Sequence, residues 1–93
     1  MEEALDKVLD DTMNMPGVTG VLCTDKLGLC LGARGNAPAH SSGLIATLAN
    51  HAKALEANAE APPIVCLESD SGNILIRAKD GITTAIYKVP SGP

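Results

Sequence analysis

IVCLESDSGNILIRAKDGITTAIYKV, residues 64–89, is the stretch whose reading decides the fold. Three aliphatic and β-branched runs, Ile64 to Glu68, Ile74 to Ala78 and Ile82 to Val89, are separated only by short turn-forming segments. Ser69-Asp70-Ser71-Gly72-Asn73 has the composition of a turn, and Lys79-Asp80-Gly81 carries the Asp-Gly pair favoured in tight hairpins. Connections of this length are too short for parallel crossovers, so the three strands are antiparallel. Pro62 and Pro63 precede the first of them, and proline cannot donate to a ladder, which places Ile64 to Glu68 at an edge of the sheet.

Working toward the N-terminus, residues 43–57 have helical periodicity. Leu44, Ile45, Leu48, Ala52 and Leu55 fall on one arc of roughly a third of a helical wheel, the arc expected to face the sheet. Ala46, Asn50, Ala54 and Ala57 form a stripe of small residues on the other side, where another helix can approach closely. Asn36 to Ser42 is a loop ending in a serine pair able to cap that helix. Val18 to Thr24 and Leu29 to Ala33, joined through Asp25-Lys26-Leu27-Gly28, read as a further hairpin, with Cys23 opposite Cys30 if its loop is two residues long. Residues 2–14 form an amphipathic first helix with Leu5, Val8, Leu9, Thr12 and Met13 on one face, stopped by Pro16-Gly17. The expected order is α-β-β-α-β-β-β, an α+β fold with a five-stranded antiparallel sheet, no helix after the last strand, and a short tail at Pro90-Ser91-Gly92-Pro93.

Ninety-three residues are the length of a single domain, and the reading assigns all of 1–93 to one. With no Phe, no Trp and only Tyr87, the core must be built from Leu, Ile, Val and Ala, and stacking on nucleic-acid bases is largely excluded. Mean hydropathy is slightly positive, +0.14, so apolar surface is left over for a partner to cover. The net charge of −4 arises wholly within the first eleven residues, and no Lys/Arg cluster exists for phosphate backbones or anionic lipids. An acidic start is unlike a secretory signal, and no apolar run approaches the ~20 residues of a membrane span. Cys23, Cys30 and Cys66 lack C-x-x-C spacing, which argues against a disulfide framework or zinc and fits a reducing compartment.

Chemistry finds little to work with. A cysteine paired with His40 or His51 is the one nucleophile and base combination available, but all three cysteines fall in strands, where the residue is usually a small buried hydrophobe. Gly28, Gly32 and Gly35 make no G-x-G-x-x-G and precede no Lys-Ser/Thr, so turn and bulge roles account for them. No catalytic residue, cofactor or metal follows. The features that remain, an edge strand and a small-residue helix stripe, are two ways of accepting a protein, or else prolines that guard the edge and alanines that serve as surface helix formers; the residues alone favour neither reading.

The strings Gly20-Val21-Leu22-Cys23-Thr24-Asp25, Gly28-Leu29, Val65-Cys66-Leu67-Glu68-Ser69-Asp70, Gly72-Asn73-Ile74 and Asp80-Gly81-Ile82-Thr83, in this order, resemble the hepatitis B virus X-interacting proteins, roadblock-type subunits of the Ragulator complex. The likeness runs from the first helix through the fifth strand. It implies a roadblock/longin-like domain that dimerises through its central helix and third strand. The expected partner interface is therefore Ala46, Asn50, Ala54 and Ala57 with Ile64, Val65, Cys66, Leu67 and Glu68. It also implies a non-catalytic scaffold that pairs with a second short roadblock-type subunit and is held on the lysosomal surface by a lipidated scaffold subunit. Such a scaffold presents Rag GTPases for amino-acid-dependent activation of mTOR complex 1. The typical roadblock domain carries a C-terminal helix, and without one a partner segment is expected to complete the fold. Direct regulation of a small GTPase's nucleotide cycle is the alternative, and it requires the chain alone to change nucleotide release or hydrolysis. A thiol enzyme, the third reading, requires a cysteine of depressed pKa.

Overall fold

The structure, a computed structural model, describes residues 2–90; the tail expected at residues 90–93 lies outside them past Pro90. Two α-helices and five strands follow the expected order: α1 (Glu2–Met13), β1 (Val18–Asp25), β2 (Cys30–Gly35), α2 (Ser42–Leu55), β3 (Val65–Ser69), β4 (Gly72–Lys79) and β5 (Ile82–Lys88). A single 3-10 turn, Ala39–Ser41, leads into α2. The strands form one sheet in the order β2-β1-β5-β4-β3, with every neighbouring pair antiparallel. Strand β3 is an edge, as its prolines require.

The β4–β5 hairpin turns on Asp80 and Gly81, both at positive φ (54° and 81°), the backbone that a two-residue turn needs to match the strands' twist. The β1–β2 hairpin departs from the expected register. Its loop is longer than two residues because the Asp25 carboxylate accepts from the backbone N–H of Leu27 and of Leu29, both at 2.9 Å, and holds residues 25–29 as a compact turn. A register shift follows Cys23, so Cys23 pairs with Gly32 and Thr24 with Cys30. The two cysteines therefore project from opposite sides of the sheet, Cys23 toward the α1 core and Cys30 toward the α2 core.

Each face of the sheet has its own core. On one, Leu22, Ile76 and Ala85 meet Ile45 and Ala49 of α2, with Ala37 closing the end. On the other, Leu9 of α1 packs on Val21 and Cys23, flanked by Leu5, Met13, Ile82 and Ile86. Helix α1 lies mainly over β1 and β2. Arg34 of β2 donates to Asp6 (3.0 Å) and Asp10 (3.1 Å), which fixes the helix against the sheet through two of the acids that give the chain its charge. Among the described residues no helix lies over the same face of β4, and β5 meets the α1 core there only through Ile82 and Ile86.

Helix α2 is rotated from the orientation expected on hydrophobicity. Ser42, Ile45, Ala46 and Ala49 are its buried residues, whereas Leu44 is 68% and Leu55 87% exposed. Where α2 meets the β1–β2 loop its side chains are small because the backbones approach closely: a Cβ on Gly28 would stand 3.0 Å from the Gly43 Cα and 4.0 Å from the Ala46 methyl. Ser42 does not cap the helix as expected. Its hydroxyl donates instead to the Gly28 carbonyl at 2.7 Å and ties the hairpin to the helix start.

Candidate partner interface

Two surfaces are presented side by side by this architecture: the outer side of α2 and the free edge of β3. Strand β3 bonds to β4 on one side only, which leaves a row of backbone donors and acceptors open to another chain. Its register places Val65 and Leu67 opposite Ile76 and Ile74, on the α2 side of the sheet, and Cys66 opposite Leu75, on the α1 side. Val65 is half-buried and packs against the α2 core, Leu67 is 41% exposed, and Cys66 and Glu68 are exposed. Ile64 falls one residue before the strand instead of opening it, and its exposed side chain lines a groove on the α1 side with Leu75 and Ile86.

Of the helix residues expected at the interface, Asn50 and Ala54 are exposed on the outer side of α2. Ala57 is exposed but lies past the end of the helix. Ala46 is corrected: at 3% exposure it faces the sheet beside Gly28 and is not available to a partner in this fold. Leu44 and Leu55, assigned to the core by the wheel, stand outside instead. Spaced eleven residues apart, about three turns, they lie on one line along the helix, with half-buried Leu48 between them. An exposed leucine line on a helix is the ordinary form of a helix-docking surface, and its sequence signal was the arc itself.

The fold does not bring Cys23 and His51 together. Cys23 is buried, and burial pushes its pKa up; a hydrogen bond with Thr84 (3.5 Å) opposes this and nearby Cys30 adds to it. A nucleophilic cysteine requires the opposite shift. Cys23 also sits on the α1 side of the sheet, whereas His51 belongs to α2 on the other. All three cysteines are free, Cys23 buried, Cys30 half-buried and Cys66 exposed.

Nearly the whole chain aligns with a protein family. The sequence profile of Ragulator complex protein LAMTOR5 matches residues 1–88. The chain belongs to the LAMTOR5 family. It is 44% identical over 91 residues to the Ragulator complex protein LAMTOR5 homolog of Nematostella vectensis and to LAMTOR5 of Xenopus tropicalis, covering 98% of this chain and all of each relative. A homolog from Dictyostelium discoideum is 37% identical over 90 residues, 92% of this chain and all of that protein.

For this LAMTOR5-family chain, solved structures independently give the roadblock/LC7 fold. The gliding protein MglB of Thermus thermophilus superposes with a TM-score of 0.77 over 99% of this chain and 76% of that one, at 20% identity. A roadblock/LC7 domain from Streptomyces avermitilis gives 0.74 over 90% and 77%, at 18% identity. Family and fold thus agree with the five-stranded antiparallel sheet described above. No described helix is long and apolar enough to cross a membrane.

Proposed function

We propose that the chain is a single roadblock-like domain serving as a non-catalytic scaffold subunit of the Ragulator complex. In this reading it pairs with a second short roadblock-type subunit through α2 and the β3 edge. The observation that carries it is the exposure of Leu44 and Leu55 on the outer side of α2, on the face of the sheet toward which Leu67 of the free edge strand also points. Large aliphatic side chains held in water on an ordered helix bind with little further loss of conformational entropy.

The wider role follows from family membership and the likeness to hepatitis B virus X-interacting proteins. The paired subunits form part of a platform that presents Rag GTPases, which the chain meets indirectly, for amino-acid-dependent activation of mTOR complex 1. A lipidated Ragulator subunit holds the assembly on the cytoplasmic surface of the lysosome, and a segment of a partner covers the sheet face that α1 leaves bare. Neither nucleic acid nor membrane insertion has a part in it. Co-expression with roadblock-type Ragulator subunits, followed by size exclusion with mass measurement, tests the reading: a one-to-one complex is expected, and a strictly monomeric chain beside every such subunit overturns it.

A further inference from the structure

We infer that Arg34 closes the β2 edge of the sheet to strand addition by a second copy of this chain, so that assembly is directed to the β3 edge. This deepens the reading above and rests on it only for the role of β3. The sheet ends in β2 on one side and β3 on the other, and each end strand bonds to a single neighbour. A sheet with two open ends can grow without limit, because every copy added offers a new end. A subunit that pairs at β3 therefore needs its other end closed.

The β1–β2 register tells which groups of β2 look outward. Asn36 donates its backbone N–H to the Thr19 carbonyl (3.0 Å), one step beyond the Gly20–Gly35 pair. Gly20 and Gly35 are thus a non-hydrogen-bonded pair. Since such pairs alternate with bonded ones, Val21 and Arg34 exchange bonds, and Ala33, opposite Leu22, turns its N–H and C=O away from β1. Gly35 faces outward too, but its φ of 65° takes the chain out of the extended conformation. On the other side of Ala33, the register shift leaves Leu31 without a partner in β1. Ala33 is therefore the centre of what this edge can offer.

Its carbonyl is already taken, by Arg34 Nη1 at 3.1 Å. The same guanidinium donates through Nε to Asp10 (3.1 Å) and through Nη2 to Asp6 (3.0 Å), so two carboxylates of α1 hold the fork in place. Arg34 pairs with Val21, which belongs to the α1 core, so its side chain starts on that side of the sheet and curls round the edge. The hydrogen-bonding side chains of β3 turn elsewhere, Ser69 to the Gly72 carbonyl (3.0 Å) and Cys66 to Glu68 (4.0 Å). Arg34 thus blocks β2 twice: it occupies the acceptor, and it sets a charge where an antiparallel pair of β2 strands would bring two copies of itself together.

The test is the light-scattering mass of the full chain by itself between roughly 10 and 200 μM. Arg34→Ala, its fold checked by circular dichroism and urea midpoint, is expected to gain mass with concentration and reach about twice the native value or more as edges join. Arg34→Met keeps the stem and loses the donors, and carries the same expectation if the alanine variant does not fold. Adding Ala33→Pro removes the outward N–H and is expected to return either variant to the native mass. D6N/D10N removes the charge pairing with α1 but leaves amide oxygens for Arg34 to donate to, and the native mass is expected. Native mass in both Arg34 variants, association that survives Ala33→Pro, or association of D6N/D10N equal to that of R34A would each overturn the inference. Pairing with a roadblock-type subunit uses β3, and its failure overturns that reading while the mass change of R34A stays as expected.

Discussion

Ala46 and Leu44 stand two residues apart on α2 and on opposite sides of it: Ala46 is 3% exposed against the sheet and Leu44 68% exposed to solvent. That contrast separates what holds the domain together from what is left for a partner.

A glutamate at each position reads the difference. Ala46→Glu buries an unpaired charge beside Gly28 and is expected to cost about 3–5 kcal/mol, enough to unfold a domain of this size. Leu44→Glu and Leu55→Glu are expected to leave the urea midpoint within the range of ordinary surface changes, about 0.5 kcal/mol. Their effect falls on partner affinity, weakened by about 2 kcal/mol or roughly thirtyfold each. Equal loss of fold at all three positions would contradict the orientation of α2.

Gly32 on β2 makes room for α1. A Cβ there would stand 2.6 Å from the Cδ1 of Leu9, which is fully buried and cannot swing clear. Gly32→Ala is therefore expected to destabilise by about 1–3 kcal/mol through overpacking. Leu9→Ala leaves a cavity and is expected to cost about 2–5 kcal/mol. In the double variant the added methyl has space, so the two costs add to less than their sum, which a double-mutant cycle in urea measures. Gly81→Ala is a different case: nothing lies within 4 Å, but its φ of 81° strains any side chain, and a loss of about 1 kcal/mol is expected.

Thiol labelling gives a second independent check. Cys66 is expected to react first in the native state, Cys30 more slowly, and Cys23 only when the chain unfolds, because exposure falls in that order. Prompt labelling of Cys23 in the folded chain would contradict the α1 core.

Stability is expected to fall on the alkaline side. Burial raises the pKa of Cys23 above its ordinary 9.0 and that of Tyr87 above its ordinary 10.0. In each case the unfolded chain releases the proton first, so stability is held below pH 9 and is lost as pH rises through the folded values. Urea midpoints between pH 8 and pH 11 (about three units around those values) test the sign. Cys23→Ala is expected to flatten the first part of the fall, and a rise in stability over that range would refute it.

Most of this architecture was legible in the sequence because local chemistry and global fold agree. The Asp80-Gly81 turn, the proline-guarded edge and the apolar strand runs each encode geometry within a few residues. The β1–β2 register was not legible, since it depends on how the Asp25 carboxylate folds the loop back on itself. The face of α2 was misread for a related reason. Periodicity located the leucine arc correctly, but burial against this sheet is set by how closely Gly28 and Gly43 let the backbones approach, and that favours Ala46 and Ala49 over leucine. That close approach buries Ala46, off the expected interface, while Leu44 and Leu55 stand outside. Ile64 lies one residue before β3 for want of a boundary signal more exact than a proline pair, and its side chain lines the groove on the α1 side.

The most direct test is the light-scattering mass of the chain co-purified with a second roadblock-type Ragulator subunit, for the native sequence and for the L44E/L55E variant. A one-to-one heterodimer for the native chain and two separate folded monomers for the variant is the result expected. A heterodimer of unchanged mass and affinity in the variant, or a native chain that stays monomeric beside that subunit, would contradict it.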